Sequence, residues 1–203
     1  MKIKFKHILV ILCLSMISCE GNLEPELFDQ ITPENFLTNE DDVKTAVTGV
    51  YAEFRGISEW GRYKTSWGSV MTLQEVPTDL WAANWFYKAH TDFMWKATDY
   101  FVCEIFEFFV PAITKATALI ARIQDAPVSD DIKNRYIAEL RVVRALWMYD
   151  LFDLYGPVPA ITDPEKILNP TQDFTVTRPS REEYITFVET ELKEVINLSL
   201  IHI

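Results

Sequence analysis

Cysteine and histidine, which most metal sites and many catalytic sites need, are scarce in this sequence. The 203 residues include three Cys and three His, with no Cys-x-x-Cys and no His-Glu-x-x-His spacing. A disulfide framework, a zinc knuckle and a zinc-protease site are therefore excluded. The sequence also has no Gly-x-Ser-x-Gly elbow, phosphate loop or dinucleotide fingerprint, so these motifs of hydrolases and nucleotide enzymes are missing. We predict a protein that is not an enzyme and that carries no cofactor or metal.

Positive charge is also in short supply. Lys and Arg number 19 against 30 Asp and Glu, which gives a formal net charge of -11. Such an acidic chain repels phosphate backbones, so nucleic acid is not an expected partner. Hydrophobic residues make up 49% and charged residues 24% of the chain, a composition typical of a folded protein with a buried core.

The N-terminal apolar run is too short to span a membrane. It has ten residues, Ile8 to Ile17, whereas a spanning helix needs about 20. Because the run follows three Lys and is followed by the small residue Ser18, it predicts a signal peptide over residues 1–18. Ser18 directly before Cys19 resembles a bacterial lipobox, although the two preceding residues depart from the Leu-Ala-Gly-Cys ideal. We expect Cys19 to carry a lipid anchor that holds the protein at a membrane surface; an ordinary secretory signal is the alternative.

Helical periodicity runs through most of the sequence after the signal segment. Residues 19–38 are polar and show no clear period, which predicts a tether before a helical domain over residues 39–197. Apolar residues at helical spacing predict helices over 41–54, near 69–76, over 99–124, over 131–155 and from the Ser180 to Glu183 capping box onward. Pro111 interrupts the third helix, so we expect a kink there or two helices that meet. The predicted fold class is mainly α, with tetratricopeptide-like helical hairpins.

One stretch carries a family signature. Tyr136 to Thr162 reads YIAELRVVRALWMYDLFDLYGPVPAIT, with Glu139 and Arg144 ahead of aromatic residues, then Leu-Tyr-Gly and Val-Pro. This stretch resembles the SusD/RagB family of outer-membrane nutrient-binding lipoproteins, and the order of Cys19 and the predicted helices is similar too. The resemblance implies an α-helical superhelix, non-catalytic binding of glycans or other nutrients at the cell surface, and a TonB-dependent transporter of the SusC type as partner. For Glu139 and Arg144 themselves we favour a structural ion pair along the helix.

Tryptophan is concentrated in the segment with the weakest helical period. Five of the six Trp lie between residues 60 and 95. Because aromatic rings can lie against the apolar faces of sugars while acids and amides bond hydroxyls, this mixture suits glycan capture. The resemblance places part of the sugar site in the loop after Glu75, which makes Asp79, Trp81, Asn84 and Trp85 the predicted ligand-binding residues. Burial of these Trp in an ordinary core is the alternative for any single one.

Two other functions remain open. Helical hairpins also serve as protein-binding scaffolds, so a tetratricopeptide-like lipoprotein without sugar binding is the main alternative. Glu104 with Glu107, and Asp150 with Asp153, are carboxylates three residues apart of the kind that a glycosidase uses. Such pairs are far more common as solvated helix charges, and a hydrolase is the third hypothesis.

The last six residues, 198–203, abandon the charged amphipathic pattern of the final helix. They read Leu-Ser-Leu-Ile-His-Ile, which CTG TCT CTT ATA CAC ATC encodes, and that string is similar to an adapter used in preparing sequencing libraries. We expect 198–203 to be a translated adapter and the native sequence before it to be the N-terminal part of a longer protein. A natural short C-terminus is the alternative.

Overall fold

The computed structural model describes residues 36–54, 70, 72–80, 87–168 and 175–196. The helices are α1 (Glu40–Ala52), α2 (Lys88–Thr91), α3 (Tyr100–Asp125), α4 (Asp130–Tyr155), α5 (Pro164–Leu168) and α6 (Arg181–Ile196). Residues 70 and 72–74 are helical as well, and the described ranges contain no strand. The helices all belong to one compact unit, Leu37–Ile203. The predicted mainly α fold with tetratricopeptide-like hairpins is confirmed.

The α3–α4 hairpin forms the centre of the core. A four-residue connection joins the two helices, and their apolar residues at helical spacing face each other. Trp147 is fully buried and lies 4.9 Å from Phe54 and 6.2 Å from Phe109 between ring centroids. Because each fully buried large apolar side chain stabilises the fold by about 1.5–3 kcal/mol, this layer supplies much of the stability. Its most buried aliphatic members are Ile105, Ile113, Ile123, Leu140 and Leu151.

Pro111 lies inside α3 without dividing it. We expected a kink or two helices that meet; the structure shows one helix from Tyr100 to Asp125, which excludes two separate helices. An internal Pro costs about 3 kcal/mol, but Phe109 and Ile113 on either side of it are both buried. Their burial offsets the missing hydrogen bond, so one continuous helix is maintained.

The predicted boundaries of α4 and α6 rest on local capping. Gly156 ends α4 with φ of 74°, a left-handed conformation that favours glycine. At the start of α6, the Glu183 backbone N–H donates to Ser180 Oγ (3.2 Å) and the Ser180 N–H donates to the Glu183 carboxylate (2.8 Å). This reciprocal pair is the predicted capping box.

Arg144 joins three helices through a buried network, which overturns our pairing with Glu139. Its guanidinium bonds the Glu191 carboxylate of α6, with Nε at 3.0 Å, and Thr117 Oγ1 of α3 at 2.8 Å. Glu139 instead accepts from the Tyr51 hydroxyl at 3.4 Å. The predicted Glu139–Arg144 pair is wrong because residues three or four apart share a helix face, whereas these two are five apart.

Candidate ligand-binding surface

The structure describes only one of the predicted site residues. Asp79 is exposed at the end of the 72–80 segment. Trp81, Asn84 and Trp85, and the predicted anchor Cys19, lie outside the described residues. Whether these side chains come together therefore stays a prediction.

Asp79 stands on a turn that is attached to the core. Val76 in the same segment is almost fully buried, and the Thr78 N–H donates to the Glu75 carbonyl at 3.0 Å. Gln74 Nε2 donates to the Asp153 carboxylate of α4 at 2.7 Å. The Asp79 carboxylate is thus presented to solvent from an anchored backbone, where it can accept hydrogen bonds from hydroxyl groups.

Exposed aromatic rings follow in the segment between α2 and α3. Phe93 is 66% exposed, Trp95 40% and Tyr100 56%, and we call these three residues the aromatic ledge. The Phe93 and Trp95 rings touch, with centroids 5.5 Å apart. Flat apolar rings that reach solvent suit the apolar faces of sugar rings, so the ledge is the strongest candidate for a glycan-contact surface.

An unusual backbone conformation holds Phe93 out from the core. The Met94 N–H donates to the Ala89 carbonyl (2.7 Å) and the Phe93 N–H to the His90 carbonyl (3.3 Å), which is a Schellman ending of α2. The position that normally carries glycine in this motif is Phe93, whose φ is 56°. A left-handed conformation is strained for a bulky residue, and such strain often marks ligand-contact sites.

The buried imidazole of His90 packs against Trp95 of the ledge. His90 is only 4% exposed, and its ring stacks on Trp95 with centroids 6.1 Å apart and planes 15° apart. Phe101 contacts the His90 ring edge-on at 5.4 Å, and Tyr87 stacks on Phe101 at 5.6 Å. The ledge is therefore continuous with a packed aromatic cluster at the start of α3.

Sequence reasoning identified the Trp-rich segment but did not select the ledge. Trp95 belonged to that segment, and its composition was the only available signal. Phe93 and Tyr100 are aromatic residues beside a loop, and no sequence pattern shows that they are exposed. His90 had no signal at all, because burial depends on neighbours such as Phe101 on another element.

A separate cavity lies between the end of α4, the segment after it and the start of α6. Its volume is about 260 Å³, and its walls include Met148, Tyr184 and Phe187 together with Lys166. Small-molecule sites usually occupy about 300–1,000 Å³. The cavity is too small for an oligosaccharide, which favours the open ledge as the glycan surface.

Asp150 on α4 has a perturbed pKa. Burial, with a smaller contribution from the Asp153 charge, raises the pKa of Asp150 to about 6. The Asp153 carboxylate accepts a hydrogen bond from Gln74. Neither Asp150 nor Asp153 belongs to the ledge. The pair is better explained by the packing of α4 than by acid–base catalysis.

The raised pKa of Asp150 predicts that Asp150→Asn changes the free energy of unfolding by an amount that depends on pH. The pKa of Asp150 in the folded protein lies above its ordinary value of 3.8, so the folded state is penalised above about pH 6 and not below about pH 4. Because the side chain is partly exposed, solvent screening reduces the effect, and we expect Asp150→Asn to stabilise the protein by about 1 kcal/mol at pH 7. Urea unfolding should show this gain shrinking as pH falls from 6 to 4. Glu107→Gln, an exposed change on α3, is the control, and a gain that does not depend on pH would contradict the assignment.

Within the described residues, no group of three His, Cys, Asp or Glu side chains is placed to hold a metal ion. No helix among them is long and apolar enough to cross a membrane.

Comparison with known sequences gives a consistent set of relatives. No protein-family model matches the chain. Two SusD-like proteins of Formosa agariphila are each 25% identical to it, over 203 and 175 residues. These matches cover 94% and 81% of this chain but 37% and 32% of the relatives. The chain thus spans about a third of the length of the curated relatives it matches.

Solved structures show the same fold. A SusD-like protein from Bacteroides fragilis has a TM-score of 0.60 at 22% identity, covering 81% of this chain and 30% of that one. A laminarin-binding SusD-like protein has a TM-score of 0.56 at 21% identity, covering 79% and 34%. A crystal structure with a xylogluco-oligosaccharide has a TM-score of 0.60 at 19% identity, covering 76% and 29%.

The helical hairpins and their solved counterparts define the class as a tetratricopeptide-like α-helical protein. Within that class, both curated relatives and two of the solved structures are SusD-like proteins. The chain is similar to SusD-like proteins in sequence and in fold, as its signature from Tyr136 to Thr162 predicted.

Proposed function

We propose that this protein captures glycans at the cell surface without cleaving them and delivers them to a TonB-dependent, SusC-like transporter. The observation that carries the proposal is the aromatic ledge, in which Phe93, Trp95 and Tyr100 expose their rings beside one another in the chain. Exposed rings of this kind are costly in water unless a ligand or partner covers them. A carbohydrate is the ligand whose apolar faces and hydroxyl groups match the ledge and the nearby polar residues.

Two solved structures with the fold of this chain support the choice of ligand class. One relative is a laminarin-binding protein, and another structure contains a xylogluco-oligosaccharide. Both share the fold of this chain, and both ligands are oligosaccharides or polysaccharides. Laminarin and a xylogluco-oligosaccharide are therefore the first probes to test. Binding experiments must then identify the native glycan.

The site that we propose combines the ledge with the four residues predicted from sequence. Trp81, Asn84 and Trp85 lie no more than three residues from Leu80 or Tyr87, a reach of about 11 Å along the chain. We propose that these residues form a single surface with Asp79 and the ledge. In this surface the rings would contact sugar faces, and Asp79 and Asn84 would bond hydroxyls.

We propose that the protein is held at the outer membrane through acylated Cys19, after removal of residues 1–18. Residues 19–38 would form the tether and residues 39–197 the binding domain. The charged start, the apolar run and the Ser18-Cys19 junction support this arrangement. Mass spectrometry of the mature N-terminus tests it: a mature chain that does not begin with a lipid-modified Cys19 would exclude the anchor.

Calorimetric titration of the complete chain with laminarin and with a xylogluco-oligosaccharide tests glycan capture. We expect saturable binding of at least one probe and no release of new reducing ends during long incubation. A folded, helical protein that binds neither probe nor any other glycan on an array would refute the proposed function. Release of reducing ends would instead favour the hydrolase.

A protein-binding scaffold is the second candidate, and one feature of α4 favours it. Val142, Leu146 and Tyr149 are exposed apolar residues at i, i+4 and i+7, which places them on one helix face. Leu146→Asp should abolish capture of a protein partner while glycan binding persists, whereas Trp95→Ala should do the reverse. If Trp95→Ala changes nothing and Leu146→Asp removes all function, the scaffold is the correct description.

A further inference from the structure

His90 is a buried polar residue that the packing does not explain. Its ring is 4% exposed, and among the described residues neither Nδ1 nor Nε2 has a hydrogen-bond partner. Buried polar groups are normally paired, and an unpaired one destabilises the fold relative to an apolar group of the same shape. Phenylalanine would fill the space between Trp95 and Phe101 without this penalty.

The neighbouring charges do not satisfy the imidazole. Lys88 and Asp92, two residues before and two after His90, form their own ion pair at 2.6 Å. The rings packed against His90 belong to Trp95 and Phe101, and these side chains offer no acceptor to it. The imidazole is thus held inside an aromatic cluster, and no residue that the structure describes uses its hydrogen-bonding capacity.

One other described residue has an unpaired buried nitrogen, and it has a simpler explanation. Trp147 Nε1 also lacks a partner among the described residues. Its large indole fills the centre of the α3–α4 core, contacting Phe54 and Phe109, and no apolar side chain has the same volume. His90 differs because an apolar ring of matching size exists.

The position of His90 connects it to the ledge. Trp95, one of the exposed rings, covers a face of the imidazole. Phe93, the other ring in contact with Trp95, stands on a strained left-handed backbone at the end of the same short helix. A small displacement of Trp95 would therefore expose His90 at the surface where we place the ligand.

We propose that His90 is a ligand-binding residue of the ledge, and that a saccharide which displaces Trp95 bonds one of its hydroxyl groups to the imidazole. This inference rests on the proposed function. A neutral imidazole has one donor and one acceptor nitrogen, which matches a hydroxyl group that can both accept and donate. The pairing selects neutral polyhydroxyl ligands and makes docking an induced fit in which the aromatic cluster opens.

The first test compares the complete native chain with His90→Phe, using laminarin and a xylogluco-oligosaccharide as probes. Because the substitution removes an unpaired polar group and keeps the ring, the melting temperature should stay the same or rise. Affinity for the probe that the native chain binds should fall at least tenfold. Equal affinity in the two proteins would make His90 a packing residue and overturn the inference while the glycan function stands; failure of the native chain to bind any saccharide would overturn both.

A second measurement uses the native chain alone, in case His90→Phe does not fold. Nitrogen-15 NMR of the imidazole side chains should show the His90 resonances shifting when a bound probe saturates the protein. Titration with a saccharide that the protein does not bind is the control and should leave the His90 resonances unchanged. Unchanged His90 resonances at saturation would show that the ligand never reaches the imidazole and would overturn the inference.

Discussion

Replacing Phe93 with glycine is expected to weaken glycan binding at least tenfold without loss of stability. The φ of 56° at this position costs a non-glycine residue about 1–2 kcal/mol, and glycine relieves that strain while adding about 0.5–1 kcal/mol of unfolded-state entropy. The relief of backbone strain and the added unfolded-state entropy nearly cancel in the free energy of unfolding. Binding, by contrast, loses a 66% exposed ring, and tenfold corresponds to about 1.4 kcal/mol. Calorimetric titration with the glycan that the native chain binds, paired with thermal unfolding, measures both quantities.

Tyr149→Ala is the matched control for this experiment. Tyr149 is an exposed aromatic residue of the same compact unit, at 58% exposure, but it lies on α4 and not on the ledge. Its loss should leave glycan affinity unchanged. Equal weakening by the two substitutions would show that the effect is general, and full affinity in Phe93→Gly would remove this ring from the site.

Replacing Glu191 with alanine is expected to destabilise the protein by about 3–5 kcal/mol, a large part of the 5–15 kcal/mol that holds a domain folded. Glu191 is buried and accepts hydrogen bonds from Arg144 and Arg141. Its removal leaves the Arg144 guanidinium buried without its carboxylate partner, which is far more costly than the pair itself is favourable. Urea unfolding followed by helical circular dichroism measures the loss.

The same helix provides the control for this prediction. Glu189, two residues away, pairs with Lys193 at 2.7 Å on the exposed face of α6, so Glu189→Ala should cost less than 1 kcal/mol. A double change, Arg144→Met with Glu191→Leu, should recover much of the stability because it removes both charges. If Glu191→Ala proves as mild as Glu189→Ala, the network does not hold α4 and α6 together.

A hydrogen bond between α4 and α3 lies next to the ledge. Tyr155, the last residue of α4, donates its hydroxyl to the Val102 carbonyl in the first turn of α3 at 2.6 Å, and burial raises the pKa of Tyr155 so that the hydroxyl remains a donor. The adjacent residues Tyr100 and Phe101 carry part of the ledge and its support. This hydrogen bond between the two helices of the hairpin therefore fixes the base of the ledge at the start of α3.

Local sequence patterns were sufficient for the long helices, but not for the short helices α2 and α5, which the sequence analysis did not predict. We predicted α4 over 131–155, and it spans Asp130–Tyr155, because apolar spacing and the Gly156 stop signal act within one or two turns. The capping box at Ser180 was readable for the same reason, since its two partners are three residues apart. The family signature also lies within one continuous stretch. These features depend on interactions between near neighbours in the chain, which is the information that a single sequence displays directly.

Contacts between distant segments could not be predicted from local sequence patterns. Arg144 bonds Glu191, 47 residues away, and not the nearby Glu139; Pro111 stays inside α3 because residues on both sides are buried. The burial of His90 and the outward position of Phe93 depend likewise on packing around α2 and α3. The residues of a helix determine its periodicity by themselves. The partner of a buried charge and the exposure of an aromatic ring are determined only when separate helices pack against one another.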